Sequence, residues 1–347
     1  MPTRRGTDGN DLFIAEGTDE VFVGRDGFDT VSFQDAHGGV SVNLASRAAQ
    51  DTGFGVNTFR SIEQVWGSRF DDDLRGSWRP DQFFGDDGDD ALYGRGGDDI
   101  LQGGNGNDFL HGGSGFDFAA YWDAAEGVRV DLRARTQDTS GLGTDTLVAI
   151  EGLFGSSFGD WLSGNGGDNV LYGEQGNDRL YGRGGDDELY GGSGNDFLDG
   201  GTGANILEGG GGRDTIVIRG GGETADGGAG TDVFVLRGGS ETETGESFAT
   251  LRGGDGGARY VVRDSADGLF ASIRDFGASE GNQLDFRSLD ADLVSDFSGG
   301  GSAEVTVSQG RGGTTVTADF DGDGDADFTA FLSDFFGTLD VGDEILI

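Results

Sequence analysis

The stretch from Gly85 to Ala120 consists of four consecutive nonapeptides, GDDGDDALY, GRGGDDILQ, GGNGNDFLH and GGSGFDFAA. They follow the pattern G-G-x-G-x-D-x-U-x, in which U is an apolar residue. Glycine adopts positive φ and lets neighbouring backbones approach closely, so the first six residues predict a tight turn. The last three residues are predicted to be extended. Their middle side chain, at position eight, points inward because side chains alternate along a strand.

The aspartate at position six predicts a metal site. A carboxylate beside inward-pointing backbone carbonyls offers only oxygen ligands, which suit a hard cation such as Ca²⁺. A sequence rich in glycine and aspartate could also be a flexible linker. A linker, however, gives no reason for Leu92, Leu101 and Leu110 to keep a nine-residue register with the aspartates. We therefore favour a stacked, metal-binding repeat.

These repeats resemble the RTX (hemolysin-type) calcium-binding nonapeptides, which form a parallel β-roll. The resemblance implies an all-β protein of parallel β-roll (β-helix or solenoid) blocks that bind several Ca²⁺ ions. Two nonapeptides would form one coil, with coils about 4.8 Å apart. Each ion would lie between turns two repeats apart and take an aspartate from each. The implied pairs are Asp72 with Asp90, Asp81 with Asp99, Asp90 with Asp108, and Asp99 with Asp117.

The nine-residue register predicts the domain organisation. RTX nonapeptides occupy residues 1–32, a first β-roll residues 67–120, and a second β-roll, degenerate at its end, residues 155–244. Spacers at 33–66 and 121–154 interrupt the register and match each other at an offset of 88 residues, as in GVSVNL at Gly39 and GVRVDL at Gly127. We interpret the spacers as structural connections without a binding site.

Position six supplies the predicted calcium ligands throughout the chain. Most are aspartates: Asp11, Asp29, Asp72, Asp81, Asp90, Asp99, Asp108, Asp117, Asp160, Asp178, Asp187, Asp196, Asp214 and Asp232. Asn169, Asn205 and Glu223 take the same position in the second roll. An amide oxygen carries less charge than a carboxylate, so sites that use asparagine are expected to be weaker.

Residues 245–347 are predicted to form a C-terminal β domain, from the strand-like runs ARYVVRD, LFASIRDF, AEVTVSQ, TTVTADF and DFTAFL. Together with the pattern I-x-D-F…N-x-L-D-F from Ile273 to Phe286, they resemble the domain that follows the roll in serralysin-type (peptidase M10) proteins. The residues of LDVGDEILI at the end of the sequence resemble the uncleaved signal of type I secretion substrates.

One stretch of this C-terminal region, DFDGDGDADF, resembles the opening of an EF-hand loop. It places Asp319, Asp321 and Asp323 at the spacing of the first calcium ligands, but position twelve is Ala330 instead of glutamate. A hairpin turn rich in aspartate and glycine is the alternative.

Composition limits the partners. The 347 residues carry a formal charge of −41, which argues against nucleic acid and, without metal, against an anionic membrane surface. There is no cysteine, so no disulfide is expected. No apolar run is long enough for a transmembrane segment, and MPTRRGTDGNDLF lacks the apolar core of a Sec signal peptide. We expect an extracellular protein exported by a type I (ABC) secretion apparatus.

The histidines give no sign of a zinc-protease site. The two in the sequence, His37 and His111, belong to no H-E-x-x-H motif. We expect a non-enzymatic, secreted, calcium-binding protein that folds on calcium binding and acts as a structural or interaction module. One alternative is an extracellular adhesin or matrix protein with a cell-surface or polysaccharide partner. The other is a carbohydrate-active enzyme or toxin component.

Overall fold

The computed structural model describes residues 1–139, 141–220, 222–237, 248–262, 269–274, 282–285, 292–293, 304–310, 313–319, 328–333 and 345–346. These residues form strands and turns and contain no helix, which confirms the predicted all-β class. Accordingly, none of them belongs to a helix that could cross a membrane. The chain divides into two units, Met1–Leu162 and Ser163–Ile347.

Short strands, mostly of three to six residues, make up the first unit. They are β1 (Thr3–Arg5), β2 (Leu12–Ile14), β3 (Glu20–Val23), β4 (Thr30–Ser32), β5 (Ser41–Asn43), β6 (Gln50–Asp51), β7 (Val56–Arg60), β8 (Gln64–Trp66), β9 (Asp73–Arg75), β10 (Gln82–Asp87), β11 (Ala91–Gly96), β12 (Ile100–Asn105), β13 (Phe109–Ser114), β14 (Phe118–Ala120), β15 (Arg129–Asp131), β16 (Thr136–Asp138), β17 (Thr144–Val148) and β18 (Gly152–Phe154). The next strand, β19 (Trp161–Ser163), spans the boundary between the units.

The described strands of the second unit are of similar length. They are β20 (Val170–Tyr172), β21 (Arg179–Gly184), β22 (Glu188–Ser193), β23 (Phe197–Thr202), β24 (Ile206–Gly212), β25 (Thr215–Ile218), β26 (Thr224–Gly230), β27 (Val233–Leu236), β28 (Phe248–Arg252), β29 (Arg259–Val262), β30 (Leu269–Ile273), β31 (Gln283–Asp285), β32 (Asp292–Leu293), β33 (Glu304–Gly310), β34 (Gly313–Asp319), β35 (Phe328–Ser333) and β36 (Ile345–Leu346).

Parallel pairing between alternate strands builds the roll. In the first unit, β10 pairs with β12 and places Phe83 opposite Leu101, while β11 pairs with β13 and places Leu92 opposite Leu110. Each pair of partners is 18 residues apart, so two nonapeptides form one coil. In the second unit β21 pairs with β23 and β22 with β24 in the same way. The parallel β-roll is therefore confirmed.

The spacers are enlarged coils of the same ladder. β4 pairs with β8 across the first spacer, with Val31 opposite Val65, and β14 pairs with β18 across the second, with Ala119 opposite Leu153. The extra residues leave the coil as short excursions, in which β6 runs antiparallel to β7 and β16 antiparallel to β17. In the first unit, the N-terminal nonapeptides, both spacers and the first roll thus share one continuous sheet.

The C-terminal strands extend the ladders of the second unit. β28, β30 and β35 follow β26 on one sheet, and β29, β31 and β36 follow β27 on the other. Every predicted strand-like run contains a strand, and β33, β34 and β35 form an antiparallel end. Asp321 and Asp323 lie outside the described residues, and Asp319 is the last residue of β34. Only Ile345–Leu346 of the predicted secretion signal is described.

The core is a row of side chains from position eight. These side chains are fully or almost fully buried in both units: Leu74, Phe83, Leu92, Leu101, Leu110, Leu171, Leu180, Leu189, Leu198, Leu207, Ile216, Ala225 and Phe234. The predicted inward orientation of this position is confirmed. Each coil packs its apolar side chains against those of the coils before and after it, so stability depends on stacking.

Removal of one core side chain should therefore destabilise the roll. We expect Leu180→Ala to lower the free energy of unfolding by about 2–5 kcal/mol, because it leaves a cavity beneath Leu198. Urea unfolding at a fixed calcium concentration measures the change. The exposed neighbour provides the control, since Arg179→Ala should change the value by less than about 0.5 kcal/mol. Equal effects of the two substitutions would contradict the assignment of position eight to the core.

Candidate metal centre

Glycine at position one makes room for the aspartate of its own repeat. A Cβ on Gly94 would lie 2.1 Å from Asp99 Oδ2 and 2.7 Å from the carbonyl oxygen of Gly112. Around Gly85, Asp90 Oδ2 and the Gly103 carbonyl oxygen likewise point into the space that a Cβ would fill. A carboxylate oxygen and a backbone carbonyl therefore converge at each of these turns, and a larger residue at position one would separate them.

A ladder of hydrogen bonds links the aspartates of successive coils. The backbone N–H of Asp81 donates to Asp99 Oδ1 at 2.7 Å, and that of Asp99 donates to Asp117 Oδ1 at 2.9 Å. Asp72, Asp90 and Asp108 are joined in the same way, at 2.7 and 2.8 Å. The structure thus brings together all four pairs that the RTX resemblance implies.

The same ladder runs through the other nonapeptides. The backbone N–H of Asp11 donates to Asp29, that of Asn169 to Asp187, and that of Asp187 to Asn205, each to an Oδ1 atom. A further run in the second unit connects Asp178, Asp196, Asp214 and Asp232. The position-six side chain therefore accepts the same backbone hydrogen bond in both units.

In most repeats the second carboxylate oxygen is buried without a protein partner. Such oxygens occur in Asp29, Asp81, Asp90, Asp99, Asp108, Asp117, Asp187, Asp196, Asp214 and Asp232. A buried acceptor left unpaired costs stability, and a buried charge costs more unless a counter-charge compensates it. Two carboxylates of adjacent coils and nearby backbone carbonyls are a donor set that fits a hard cation. Among the described residues, no three acidic or histidine side chains are placed to hold one metal ion together, so carbonyls would complete each site.

Electrostatics points to a cation at the same atoms. Burial, reinforced by the carboxylates of Asp117 and Asp81, raises the pKa of Asp99 to about 8. Burial and neighbouring carboxylates also raise the pKa of Asp90 to about 8 and that of Asp108 to about 7. A positive ion between the carboxylates would favour their charged forms and reverse this shift.

Asp72 and Asp160 differ from Asp99 because the protein itself satisfies their carboxylates. Asp72 accepts hydrogen bonds from the backbone N–H of Val40 and from both the N–H and the hydroxyl of Ser68. Asp160 has the equivalent set from Val128 and Ser156. Each lies in the coil that follows a spacer, where serine replaces glycine at position two. These aspartates have less need of a metal than Asp99.

Asparagine changes the site in the second roll. The Asn205 amide donates from Nδ2 to Glu223 Oε1 at 3.3 Å, between two ladder positions that would otherwise both be acidic. This direct hydrogen bond between an amide and a carboxylate occupies the place where two aspartates elsewhere leave oxygens unpaired. It gives a structural reason for the weaker site expected at Asn205.

Sequence reasoning missed the ladder residues of the spacers. The backbone N–H of Asp29 donates to Glu63 Oε2, that of Asp117 to Glu151 Oε2, and that of Asp108 to Asp145 Oδ1, at 3.0–3.1 Å. The spacers therefore supply acidic acceptors to the ladder in place of position six, which the interpretation of the spacers as structural connections did not include. The offset of 88 residues that relates Glu63 to Glu151 was the available signal.

Comparison with known proteins identifies the repeats. The family model for the RTX calcium-binding nonapeptide repeat matches residues 5–31, 66–99, 84–119, 154–189 and 181–216. No curated protein matches the sequence. Among solved structures, the extracellular lipase LipA from Serratia marcescens is similar at 16% identity and a TM-score of 0.23, over 84% of this chain and 44% of the lipase. The chain thus spans less than half the length of that lipase.

The matched residues contain both the glycine turns and most of the aspartate ladder. The chain therefore carries RTX calcium-binding nonapeptide repeats, and these repeats bind several calcium ions.

Proposed function

We propose that this chain is exported by a type I (ABC) secretion apparatus, folds outside the cell when calcium binds, and then acts as a non-enzymatic structural or interaction module. The observation that carries the proposal is the row of buried carboxylate oxygens without a protein partner. Without a cation, these oxygens oppose the stacking that the apolar core favours. With calcium present, the same oxygens become ligands.

The residues of the ladder create the switch. Each coil places a carboxylate next to that of the following coil, in a chain whose formal charge is already −41. Their mutual repulsion and burial favour the unfolded chain, in which each carboxylate is hydrated. Calcium supplies the positive charge that offsets this repulsion. Folding then buries the row of leucines, so metal binding and core formation occur together.

The energies are large enough for such a switch. Calcium modules of extracellular proteins bind with Kd values of roughly 10⁻⁴–10⁻³ M. With calcium at about 1 mM and a Kd of about 0.1 mM, each occupied site stabilises the folded state by about 1.4 kcal/mol. Several sites together reach the stability of an ordinary domain, about 5–15 kcal/mol. At sub-micromolar calcium this contribution is close to zero.

The export route rests on the repeats and on the end of the chain. Proteins with RTX repeats are typically secreted, and the match covers repeats in both units. Residues 245–347 are proposed to be a serralysin-like C-terminal domain, whose strands continue the ladders of the roll. The final residues LDVGDEILI are proposed to be the secretion signal.

The proposal of a non-enzymatic role is supported by the surroundings of both histidines. The ring of His37 lies edge-on to Phe54 at 6.2 Å, and that of His111 lies 6.3 Å from both Tyr93 and Phe109. These are packing contacts with aromatic rings. An adhesin or matrix role is favoured as the form of interaction, because Trp78 is 79% exposed on the first unit.

Calcium should control the strand content. We expect EDTA-treated protein to lack most of its far-ultraviolet circular dichroism signal for β-structure, and about 5 mM Ca²⁺ to restore it. Mg²⁺ at the same concentration is the control, because it demands octahedral geometry and loses its water reluctantly. A full strand signal in EDTA would contradict calcium-gated folding.

Acid should partly replace calcium. The pKa of Asp99 is about 8 in the folded state against an ordinary value of 3.8, so the metal-free fold retains protons that the unfolded chain releases. The stabilisation that comes from the proton retained on Asp99 is present below about pH 4 and is lost as the pH rises to about 8. In EDTA, we expect the strand signal to increase when the pH is lowered from about 8 to about 5.5. In calcium the dependence should reverse, since protons compete for the ligands. A strand signal in EDTA that grows with rising pH would count against buried, unpaired carboxylates.

Removal of one ladder carboxylate should weaken two neighbouring sites. Asp99 is hydrogen-bonded to the ladder positions before and after it, so Asp99→Ala should lower the number of bound ions and raise the calcium midpoint of folding roughly tenfold. Calorimetric titration measures both quantities. Asp35→Ala removes the same charge from an exposed residue of the first spacer and should leave both unchanged. An identical titration of the two variants would rule out Asp99 as a ligand.

A further inference from the structure

A groove on the surface of the first unit collects positive charge. It has two parts, of about 550 and 430 Å³, which share Ala45 and Trp78 as lining residues. The larger part is lined by Arg47, Arg60 and Arg79, and the smaller by Arg75, Arg95, Tyr93 and His111. We call this feature the arginine groove. Its volume lies in the range of ligand-binding clefts.

The charge of the arginine groove contrasts with that of the chain. Five of the 23 basic residues line it, although the chain has a formal charge of −41. Arg47, Arg60 and Arg79 form no salt bridge with any residue that the structure describes. The lining also includes Glu63, whose carboxylate belongs to the ladder, and Asp81, and the Arg79 guanidinium interacts electrostatically with both carboxylates. The guanidinium groups of Arg47 and Arg60 are therefore available to a ligand.

Aromatic rings form the floor of the groove. Trp78 is 79% exposed and rests against Gly96, where a Cβ would come within 3.2 Å of Trp78 Cε3. The Arg75 guanidinium lies 5.1 Å from the Tyr93 ring centroid and is fixed by two hydrogen bonds of 2.7 Å to Asp73. An exposed indole held against glycine, beside an oriented guanidinium and a tyrosine, is a preformed platform for a flat ligand.

The internal repeat shows that the roll does not require these side chains. At the offset of 88 residues, the second copy keeps Tyr181 and Arg183 in place of Tyr93 and Arg95. Arg135 likewise stands in place of Arg47, whereas four other counterparts differ: Gly166 for Trp78, Gly167 for Arg79, Val148 for Arg60, and Ser163 for Arg75. The nonapeptide frame folds with either set. The tryptophan and three arginines of the first copy thus need an explanation other than the fold.

We propose that the arginine groove binds a uronic-acid polysaccharide, which makes it the partner site of the interaction module proposed above and rests on that proposal. The apolar C–H face of a sugar ring stacks on an indole or phenol ring, as other flat apolar surfaces do. Each uronate carboxylate matches the planar fork of a guanidinium, which binds carboxylates through two parallel hydrogen bonds. Regularly spaced carboxylates on a chain of rings fit an open groove with several arginines.

Other polyanions fit less well. Double-stranded DNA carries one charge per about 1.7 Å of its axis, so the acidic surface around the groove repels it more strongly than a chain with one carboxylate per ring. Salt screens that surface beyond about 8 Å at physiological ionic strength, which leaves short-range contacts in the groove effective. A neutral glycan would leave the guanidinium groups of Arg47 and Arg60 without partners.

Calorimetry with oligogalacturonates too short to gel with calcium tests the proposal, on the full chain in about 2 mM Ca²⁺. Two variants introduce the residue of the second copy, Trp78→Gly and Arg60→Val, and each should weaken binding about tenfold. Arg69→Ser is the matched control. It also introduces the residue of the second copy, where Ser157 corresponds to Arg69, and it removes one charge from an exposed arginine outside the groove. The affinity of this variant for oligogalacturonate should therefore stay within about twofold of that of the unaltered protein.

Circular dichroism of each variant with and without calcium separates the possible failures. If the original protein gains strand signal with calcium but does not bind oligogalacturonate, the groove proposal is overturned and calcium-gated folding stands. If it binds oligogalacturonate but has the same strand signal in EDTA and in calcium, calcium-gated folding is overturned and the groove proposal stands. Equal affinity for a neutral malto-oligosaccharide, or for a single-stranded oligonucleotide of equal charge, would overturn the assignment to uronic acids. So would an effect of Arg69→Ser as large as that of Arg60→Val.

Discussion

The structure depends on one contact, that between the position-six carboxylate of a coil and the backbone N–H of the coil before it. In the contact between Asp99 and Asp81, one oxygen accepts a hydrogen bond at 2.7 Å, and the other remains buried without a protein partner. The first oxygen fixes the register of stacking, and the second creates the need for a cation. Glycine at position one follows from the same contact, because a Cβ would displace the carboxylate.

The regular part of this arrangement could be predicted from the sequence, because every repeat obeys the same two constraints. An inward leucine and an inward aspartate recur at fixed spacing, so the core residue Leu101 and the pairing of Asp81 with Asp99 follow from counting. Glu63, Asp145 and Glu151 could not be found by counting. Their separations from the preceding ladder residue, 34 or 37 residues, depend on how much chain leaves the coil. The three donors that satisfy Asp72 also depend on folded geometry, because one comes from Val40.

The two faces of each strand are under different constraints. Inward positions must fill a narrow core and support the ladder, so Leu92 and Leu180 are the same residue in both copies. Outward positions contact solvent and can change at little cost to stability. The arginine groove is made of such outward residues and of the turn that carries Trp78. A roll of this kind can therefore acquire a binding surface on one copy while the other keeps only the frame.

The carboxylate ladder also has a direction. Each coil donates its N–H groups to acceptors of the coil that follows in the sequence, as Asp178 donates to Asp196 and Asp214 to Asp232. The two ends of a roll therefore need different caps: the first coil needs a donor, which Val40 provides to Asp72, and the last needs an acceptor, which Glu151 provides to Asp117. Beyond Asp232, Ala258 occupies the donor place and Asn282 provides an amide oxygen as its acceptor. At this point an uncharged amide takes the place of a carboxylate in the ladder, while the two sheets continue through β28 and β29.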